Sequence, residues 1–335
     1  SDFSEAHSNL GAVYIEMGKL DQAENSLRKA IEINPNLTKA YFSLSSLKGS
    51  LNNKFFDKIL SEDMVKMKNK KEKIDIFFTR SNIYHRRKNY LLSARNLEKG
   101  NSIKNAINKS NKSYLINKSR ALLIESNKIS IQSKVKPIQT NNIFIVGMPR
   151  SGSTLVESII SMNNDVNDLG ETNILEEAFF EWKEFNKKGH ELSLHNLYKK
   201  KAKDVDKHAK IFTNKLLYNY MYVGLIGDQI PNSKIIHCFR NPLDNILSIF
   251  RANFKKGNEY SSSLTDCAEV YLDQEDVMKE YKKKYYPLIY NLNYDLLVSN
   301  PNTEIKKLIL WLGWSWDDIY LSPHLNPRSI STASS

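Results

Sequence analysis

The sequence predicts an α/β domain with a mostly parallel sheet, preceded by an all-α region. Three observations carry this. Near Ile143 the hydrophobic pattern changes from helical spacing to short apolar runs alternating with longer amphipathic helices. The first of these runs, 143–146, leads into a turn with two glycines and then a helix-like pattern over 155–162. Upstream, helical positions recur at a fixed offset, the mark of stacked helical units.

The N-terminal elements come first. Residues 5–36 read as a helical hairpin. Ala6, Leu10, Val13, Tyr14 and Met17 mark an amphipathic first helix, and Gly18, Lys19 and Leu20 make the turn. Ala23, Leu27, Ala30 and Ile31 mark the second helix, which Asn34 and Pro35 stop. Small residues at Gly11, Ala23 and Ala30 let the two helices approach closely. Ala6 and Leu10 are matched 34 residues on by Ala40 and Leu44, and Tyr14, Leu20 and Leu27 recur 70 residues on as Tyr84, Tyr90 and Leu97. This pattern resembles tetratricopeptide repeats. It implies a short α-solenoid over 1–105, in which each unit buries a face it cannot bury alone. Two roles fit such a solenoid, a groove for a peptide or protein partner and a structural extension of the α/β domain. Residues 106–141 are expected to be a helical connection, around 115–129, and a linker over 134–142 that contains Pro137. Residues 142–335 form the α/β domain, with strands at 143–146, 211–213, 235–239 and 288–294. Its expected helices are 153–162, 172–186, 217–229, 242–255, 264–285 and 302–312.

Composition narrows the function. The 335 residues are 41% hydrophobic, enough for two cores, and no apolar run is long enough to cross a membrane. The formal charge of +12 comes from lysines scattered through runs also rich in Asn, Ser and Ile, as in 66–73 and 199–210. Such runs are solvated helix faces. With no arginine-rich arm and no nucleic-acid-binding signature, no nucleic-acid partner is expected. Cys238 and Cys267 make no CxxC pair, and the seven histidines form no HExxH or HxH cluster, so no metal is expected. Cys238, inside an apolar run, reads as a buried thiol. Trp311, Trp314 and Trp316 read as packing of a terminal helix. No secretory signal is visible in a chain that starts at Ser1, so a cytoplasmic location without a membrane anchor is expected, for a sequence that reads as trimmed.

The chemistry lies at the strand ends, where open α/β sheets bind ligands. After the first strand comes the loop Gly147, Met148, Pro149, Arg150, Ser151, Gly152, Ser153, Thr154. A strand that passes through a Gly-rich turn into a helix builds an anion site, because backbone N–H groups and the helix N-terminus converge there. The glycines have P-loop spacing, but Ser153 stands where a nucleotide triphosphatase has Lys, and the cation sits inside the loop as Arg150. Lys215 follows the second strand and Arg240 the third, while the fourth ends at Tyr294. None of these four strands ends in the Asp that holds Mg²⁺ in P-loop nucleotide triphosphatases. Ser248 lies eight residues after Arg240 and about two turns into the next helix, so both could reach one phosphate; the alternative is an ordinary strand–helix junction with an exposed Arg.

The loop resembles the 5′-phosphosulfate loop of sulfotransferases, and Arg240 with Ser248 resembles their 3′-phosphate motif. With the repeats in front, the chain is similar to bacterial tetratricopeptide-repeat sulfotransferases and, through them, to protein-tyrosine sulfotransferases. That resemblance implies 3′-phosphoadenosine 5′-phosphosulfate (PAPS) as donor, 3′-phosphoadenosine 5′-phosphate (PAP) as product, no metal, and a hydroxyl acceptor, with protein tyrosine among the candidates. It implies that Arg150, Ser151, Gly152, Ser153 and Thr154 hold the phosphosulfate and that Arg240 and Ser248 hold the 3′-phosphate. Tyr294 would lie near the adenine, and Ser334, in a C-terminal motif beginning at Arg328, would touch the nucleotide. Glu171 would be the catalytic base, Lys215 the cation at the leaving group, and Arg150 a further catalytic cation. By residue type alone a helix cap is the better reading of Glu171, and the resemblance reverses this. Two departures stand out: many relatives have Asp where this chain has Asn214, and the rest of the C-terminal motif is missing. The alternatives are a P-loop kinase or nucleotide triphosphatase, and a non-catalytic interaction protein working through its repeats.

Overall fold

The computed structural model describes residues 2–47, 53–66, 68–128, 141–189, 192–205, 210–254 and 256–326. By packing, the chain divides into two compact units that are not contiguous in sequence. One holds the described residues of 1–111 and 250–267, and the other those of 112–249 and 268–331.

The first unit is helical: α1 (Asp2–Glu16), α2 (Leu20–Ile33), α3 (Thr38–Ser46), α4 (Asn53–Leu60), α5 (Lys70–Arg86) and α6 (Tyr90–Ile107). Ala23, Leu27, Ala30 and Ile31 of α2 are buried as their spacing predicts. Their core continues through Ala40, Tyr41 and Leu44 of α3 to Ile76 and Ile83 of α5. The Asn69 side chain and Glu72 start α5 with a reciprocal capping box. At the α1–α2 contact the backbone of Gly11 lies so close that a Cβ there would sit 2.6 Å from Leu27 Cγ. The expected face of α1 is not the buried one. Ser4, Ser8 and Gly11 face inward, while Ala6, Leu10, Val13 and Met17 are exposed and Tyr14 is half-buried. Small side chains are what allow α1 to press on Leu27, so the larger apolar residues turn outward. The returning segment 250–267 contributes Phe250, which packs with Ile74, Phe78 and Leu97. Asn101 Nδ2 donates to the Phe250 carbonyl at 2.9 Å, and the Tyr260 amide donates to Asn111 Oδ1 at 3.1 Å.

The second unit begins with α7 (Lys112–Lys128). It continues through β1 (Asn142–Gly147), α8 (Ser153–Ile160), β2 (Val166–Asp168), α9 (Ile174–Lys187), α10 (Leu194–Val205), β3 (Ile211–Asn214), α11 (Val223–Gln229), β4 (Ser233–Phe239) and α12 (Pro242–Phe250). After α13 (Leu264–Tyr285) come β5 (Ile289–Asn293), α14 (Tyr294–Ser299) and α15 (Pro301–Leu312). The sheet is parallel throughout, in the order β2-β3-β1-β4-β5. β1 is buried along its whole length and lies between β3 and β4. Register sets Gly147 beside Cys238 and Phe144 beside Asn214, so the ends of β3, β1 and β4 open on one edge of the sheet. One face of the sheet packs Val156, Ile159 and Ile160 of α8 with Ile305, Leu308 and Ile309 of α15. Trp311, Trp314 and Trp316 pack against that core, as expected, and Cys238 is buried in it.

Four expectations need correction. β2 was not foreseen, because Val166-Asn167-Asp168 is a three-residue edge strand with no apolar run. One strand therefore does end in a carboxylate, Asp168, at the sheet edge and separated from β1 by β3. Tyr294 does not end β5 but opens α14, where the Asn293 side chain caps the Asp295 and Leu296 amides. The segment 217–229 is a 3₁₀ turn over Leu217–Tyr222 before α11, and α12 stops at Phe250.

Candidate active site

The loop after β1 is held in shape by its backbone and by two neighbours. Gly147, Arg150 and Gly152 all have positive φ, at 142°, 68° and 88°. A side chain on Gly147 would run into the Cys238 carbonyl of β4, and one on Gly152 into the Tyr294 ring. Glycine is required at both places for close approach as well as for conformation. Asn245 of α12, fully buried, donates through Nδ2 to the Pro149 carbonyl at 3.1 Å and ties the loop to the next strand–helix unit. Gly152 caps α8, so the loop delivers its amides to the helix N-terminus, with Ser153 buried in the first turn and Thr154 beside it.

Arg150, Arg240, Ser248 and Tyr294 converge around this loop. Arg150 Nε donates to Ser248 Oγ at 3.2 Å. The Arg240 guanidinium lies 5.2 Å from the centroid of the Tyr294 ring, the same ring that abuts Gly152. Arg150 keeps surface open to solvent, yet the protein crowded around it, and then the nearby Arg240, lower the pKa of its guanidinium, while Tyr294 acts the other way. Two like charges held this close are relieved by an anion between them. Ser151 Oγ and Arg240 Nε are buried and make no hydrogen bond. Arg240 is steadied by Asp295 Oδ1 at 3.6 Å, and Asp295 Oδ2 accepts from the Asn241 amide at 2.8 Å. Asp295 was not foreseen. Its position directly after Tyr294 was the available signal.

A second cluster sits at the ends of β2 and β3. The Leu169 amide donates to the Thr213 carbonyl at 2.8 Å and the Lys215 amide to the Gly170 carbonyl at 3.0 Å, so the two chain exits run side by side. Glu171 lies in the bend between them. It does not cap α9, which Asn173 precedes. Instead, Lys215 Nζ donates to Glu171 Oε1 at 2.9 Å. Lys215 has no exposed side-chain surface, and it has a second carboxylate partner, Glu157 Oε2 of α8, at 3.3 Å. Glu157 was also missed. A lone Glu among Leu155, Val156, Ile159 and Ile160, just past an anion loop, was the sign to read. Burial drives its pKa up to about 7 against the opposing pull of Lys215, with Asp168 and Glu171 adding to the rise. Asn214 uses both halves of its amide: Oδ1 accepts from the Leu216 amide at 3.1 Å and from Asn219 Nδ2 at 3.0 Å, and Nδ2 donates to the Thr172 carbonyl at 3.5 Å.

The structure thus brings Arg150, Gly152, Arg240, Ser248 and Tyr294 together at one subsite and Glu171 with Lys215 at another, and α8 touches both. Ser334 lies outside the described residues. Among the described residues no group of three or more His, Cys, Asp or Glu side chains is arranged to hold a metal ion, and no helix is long and apolar enough to cross a membrane.

A family model described as "Sulfotransferase family" matches residues 142–318, and one described as "Tetratricopeptide repeat" matches residues 4–37. An uncharacterized protein of Aquifex aeolicus (strain VF5) is 31% identical over 213 residues, covering 57% of this chain. This chain covers only 28% of the length of that relative. Among solved structures, the sulfotransferase domain from the curacin biosynthetic pathway aligns at TM-score 0.40 and 18% identity, over 58% of this chain and 84% of its own. The sulfotransferase domain from the Synechococcus PCC 7002 olefin synthase gives 0.41 and 16%, over 58% and 81%. Sulfotransferase STF1 from Mycobacterium tuberculosis H37Rv gives 0.38 and 12%, over 74% and 78%.

Proposed function

The chain belongs to the sulfotransferase family, and on that premise we propose that it moves a sulfuryl group from PAPS to a hydroxyl acceptor, with tyrosine on a protein as the acceptor to test first. The observation that carries the donor assignment is the convergence of two arginines, one serine and one aromatic ring on a glycine loop. Such a site fits a nucleotide with phosphates at two ends. The loop with Ser151, whose hydroxyl is buried and unbonded, suits the 5′-phosphosulfate. Arg240 and Ser248 suit the 3′-phosphate, and the Tyr294 ring lies between the two. The repeat in front makes a peptide acceptor reasonable, since such surfaces commonly hold extended partners.

When bound, the donor supplies a sulfuryl group activated by its link to phosphate. The chain's own residues position it and manage charge, as proteins do for the related phosphoryl transfer. Arg150 and the loop amides hold the negative oxygens. The Lys215 ammonium neutralises the bridging oxygen, which keeps the electron pair as its bond to sulfur breaks. Glu171, partly open to solvent, receives the acceptor proton. A tyrosine phenol has a pKa near ~10, so the proton moves to the carboxylate only as the new S–O bond forms.

The test uses radiolabelled PAPS with a pool of tyrosine-containing peptides, and with water as the acceptor where no peptide is sulfated. PAP binding is followed by calorimetry. Glu171→Ala and Lys215→Ala are each expected to lose about 10²–10³ in turnover while binding PAP as the wild type does. Full turnover by the Glu171 variant would remove it as the base, and ATP bound in preference to PAP would remove the donor.

A further inference from the structure

Lys215 has more carboxylate around it than the proposed chemistry uses. Its ammonium meets Glu171 at 2.9 Å and Glu157 at 3.3 Å. The two carboxylates differ in access. A quarter of the Glu171 side chain is exposed, whereas Glu157 is 1% exposed and opens on no solvent. Glu157 therefore meets no acceptor. Yet it is held in the fifth position of α8, the helix that starts at the anion loop, and the apolar packing of Val156, Ile159 and Ile160 fixes that helix against the sheet.

A buried ammonium with a single counter-ion would be stranded whenever that counter-ion took a proton or turned away, at a cost of several kcal/mol. Glu171 does both if it accepts a proton from a hydroxyl. We propose that Glu157 is the positioning residue of the transfer site: its carboxylate holds the Lys215 ammonium against the helix that carries the anion loop, so that Glu171 is free to leave its ion pair and work on the acceptor. This rests on the roles given above to Glu171 and Lys215.

The groups facing Glu157 are Lys215 from the end of β3, Asp168 from β2 and Glu171 from the bend after it. Its Oε2 is engaged with Lys215, while Oε1 is buried and makes no hydrogen bond. The carboxyl group thus spends its one polar contact on Lys215. A carboxylate kept only for fold stability gains little from such a place, since an apolar residue of similar volume is commonly as stable there.

The test, run at about pH 8 where the Glu157 carboxyl is ionised, measures turnover and PAP affinity separately in Glu157→Gln, in Lys215→Ala and in the double variant, using the peptide pool or water as acceptor. Glu157→Gln is expected to lower kcat at least ~10-fold while the Kd for PAP stays within about threefold, because the loop itself is intact. In the Lys215→Ala background the same change should cost nothing further, as expected of a residue acting through Lys215. A folded Glu157→Gln protein with wild-type kcat overturns the proposal, as does an additive loss in the double variant, or affinity falling in step with kcat. If Glu157→Gln does not fold, Glu157→Asp keeps the charge but draws it back by one methylene. It should then lower kcat at unchanged Kd, and wild-type kcat from it overturns the proposal equally. A wild-type chain that transfers to neither peptide nor water overturns the sulfuryl-transfer reading and this one with it. Transfer by the wild type with no defect in the Glu157 variants removes only this one.

Discussion

Replacing Gly152 by alanine tests the centre of the nucleotide subsite in one atom. Gly152 has φ 88° and caps α8, and the new Cβ would collide with the edge of the Tyr294 ring at Cδ2 and Cε2. Two costs add. Left-handed backbone in a residue with a side chain costs roughly 1–2 kcal/mol. The ring must then move, and its contact with the Arg240 guanidinium, 5.2 Å from the centroid, is worth about 0.5–1 kcal/mol at a partly open site. The expected loss is therefore about 1.5–3 kcal/mol of stability. Gly313→Ala is the control: φ there is 82°, but nothing lies within 4 Å of an added Cβ, so only the backbone cost of about 1–2 kcal/mol applies. Urea unfolding of both variants reads the difference. Displacing the ring also removes the aromatic face beside Arg240, so PAP should bind about tenfold more weakly to the Gly152 variant, a change of ~1.4 kcal/mol by calorimetry. If both variants lose the same stability and Gly152→Ala binds PAP as the wild type does, the ring contact has no part in the site.

Further expectations concern each part of the chain. Arg240→Ala should weaken PAP by about 1.5–3 kcal/mol, the range for a hydrogen bond to a charged group, and leave adenosine 5′-phosphosulfate nearly unchanged. Equal losses by calorimetry would remove the 3′-phosphate assignment. Glu157 is raised from 4.5 to about 7 in the folded state. The native protein thus holds a proton that the unfolded chain has released, and stability falls as pH rises between those values. The full span is on the order of 3 kcal/mol. Wild type minus Glu157→Gln unfolding free energy should therefore move against the wild type from about pH 5 to about pH 8, and a flat difference would refute the shift. Gly11→Val should destabilise the α1–α2 hairpin by about 1–3 kcal/mol through overpacking on Leu27, read from the helical signal in urea.

The loop at Gly147 was legible because its chemistry is local. A strand, two glycines and a helix start are consecutive, and the cation within them departs visibly from the nucleotide-triphosphatase pattern. The placement of Arg240 at a strand end and of Ser248 in the following helix was legible for the same reason. What escaped was nonlocal. Glu157 looks like an ordinary helix residue until β3 sets Lys215 against it. Asp295 gains its role only when α14 meets the end of β4. β2 carries no apolar run because an edge strand of three residues needs none. On α1 the period was right and the face was wrong: Leu10, Val13 and Met17 announce a helix, but Gly11 and its serines, by being small, decide which side is buried.

The return of residues 250–267 to the repeat unit has a practical side. Phe250 completes a cluster with Ile74, Phe78 and Leu97, while Asn101 and Asn111 bond the same segment. Deleting the repeats would leave that segment with its apolar residues uncovered and its backbone groups unpaired. A shortened chain of that kind would lose activity through misfolding whatever the repeats do for the acceptor. Their contribution has to be measured by surface substitutions in the intact chain, where a selective change in acceptor KM separates recognition from scaffolding.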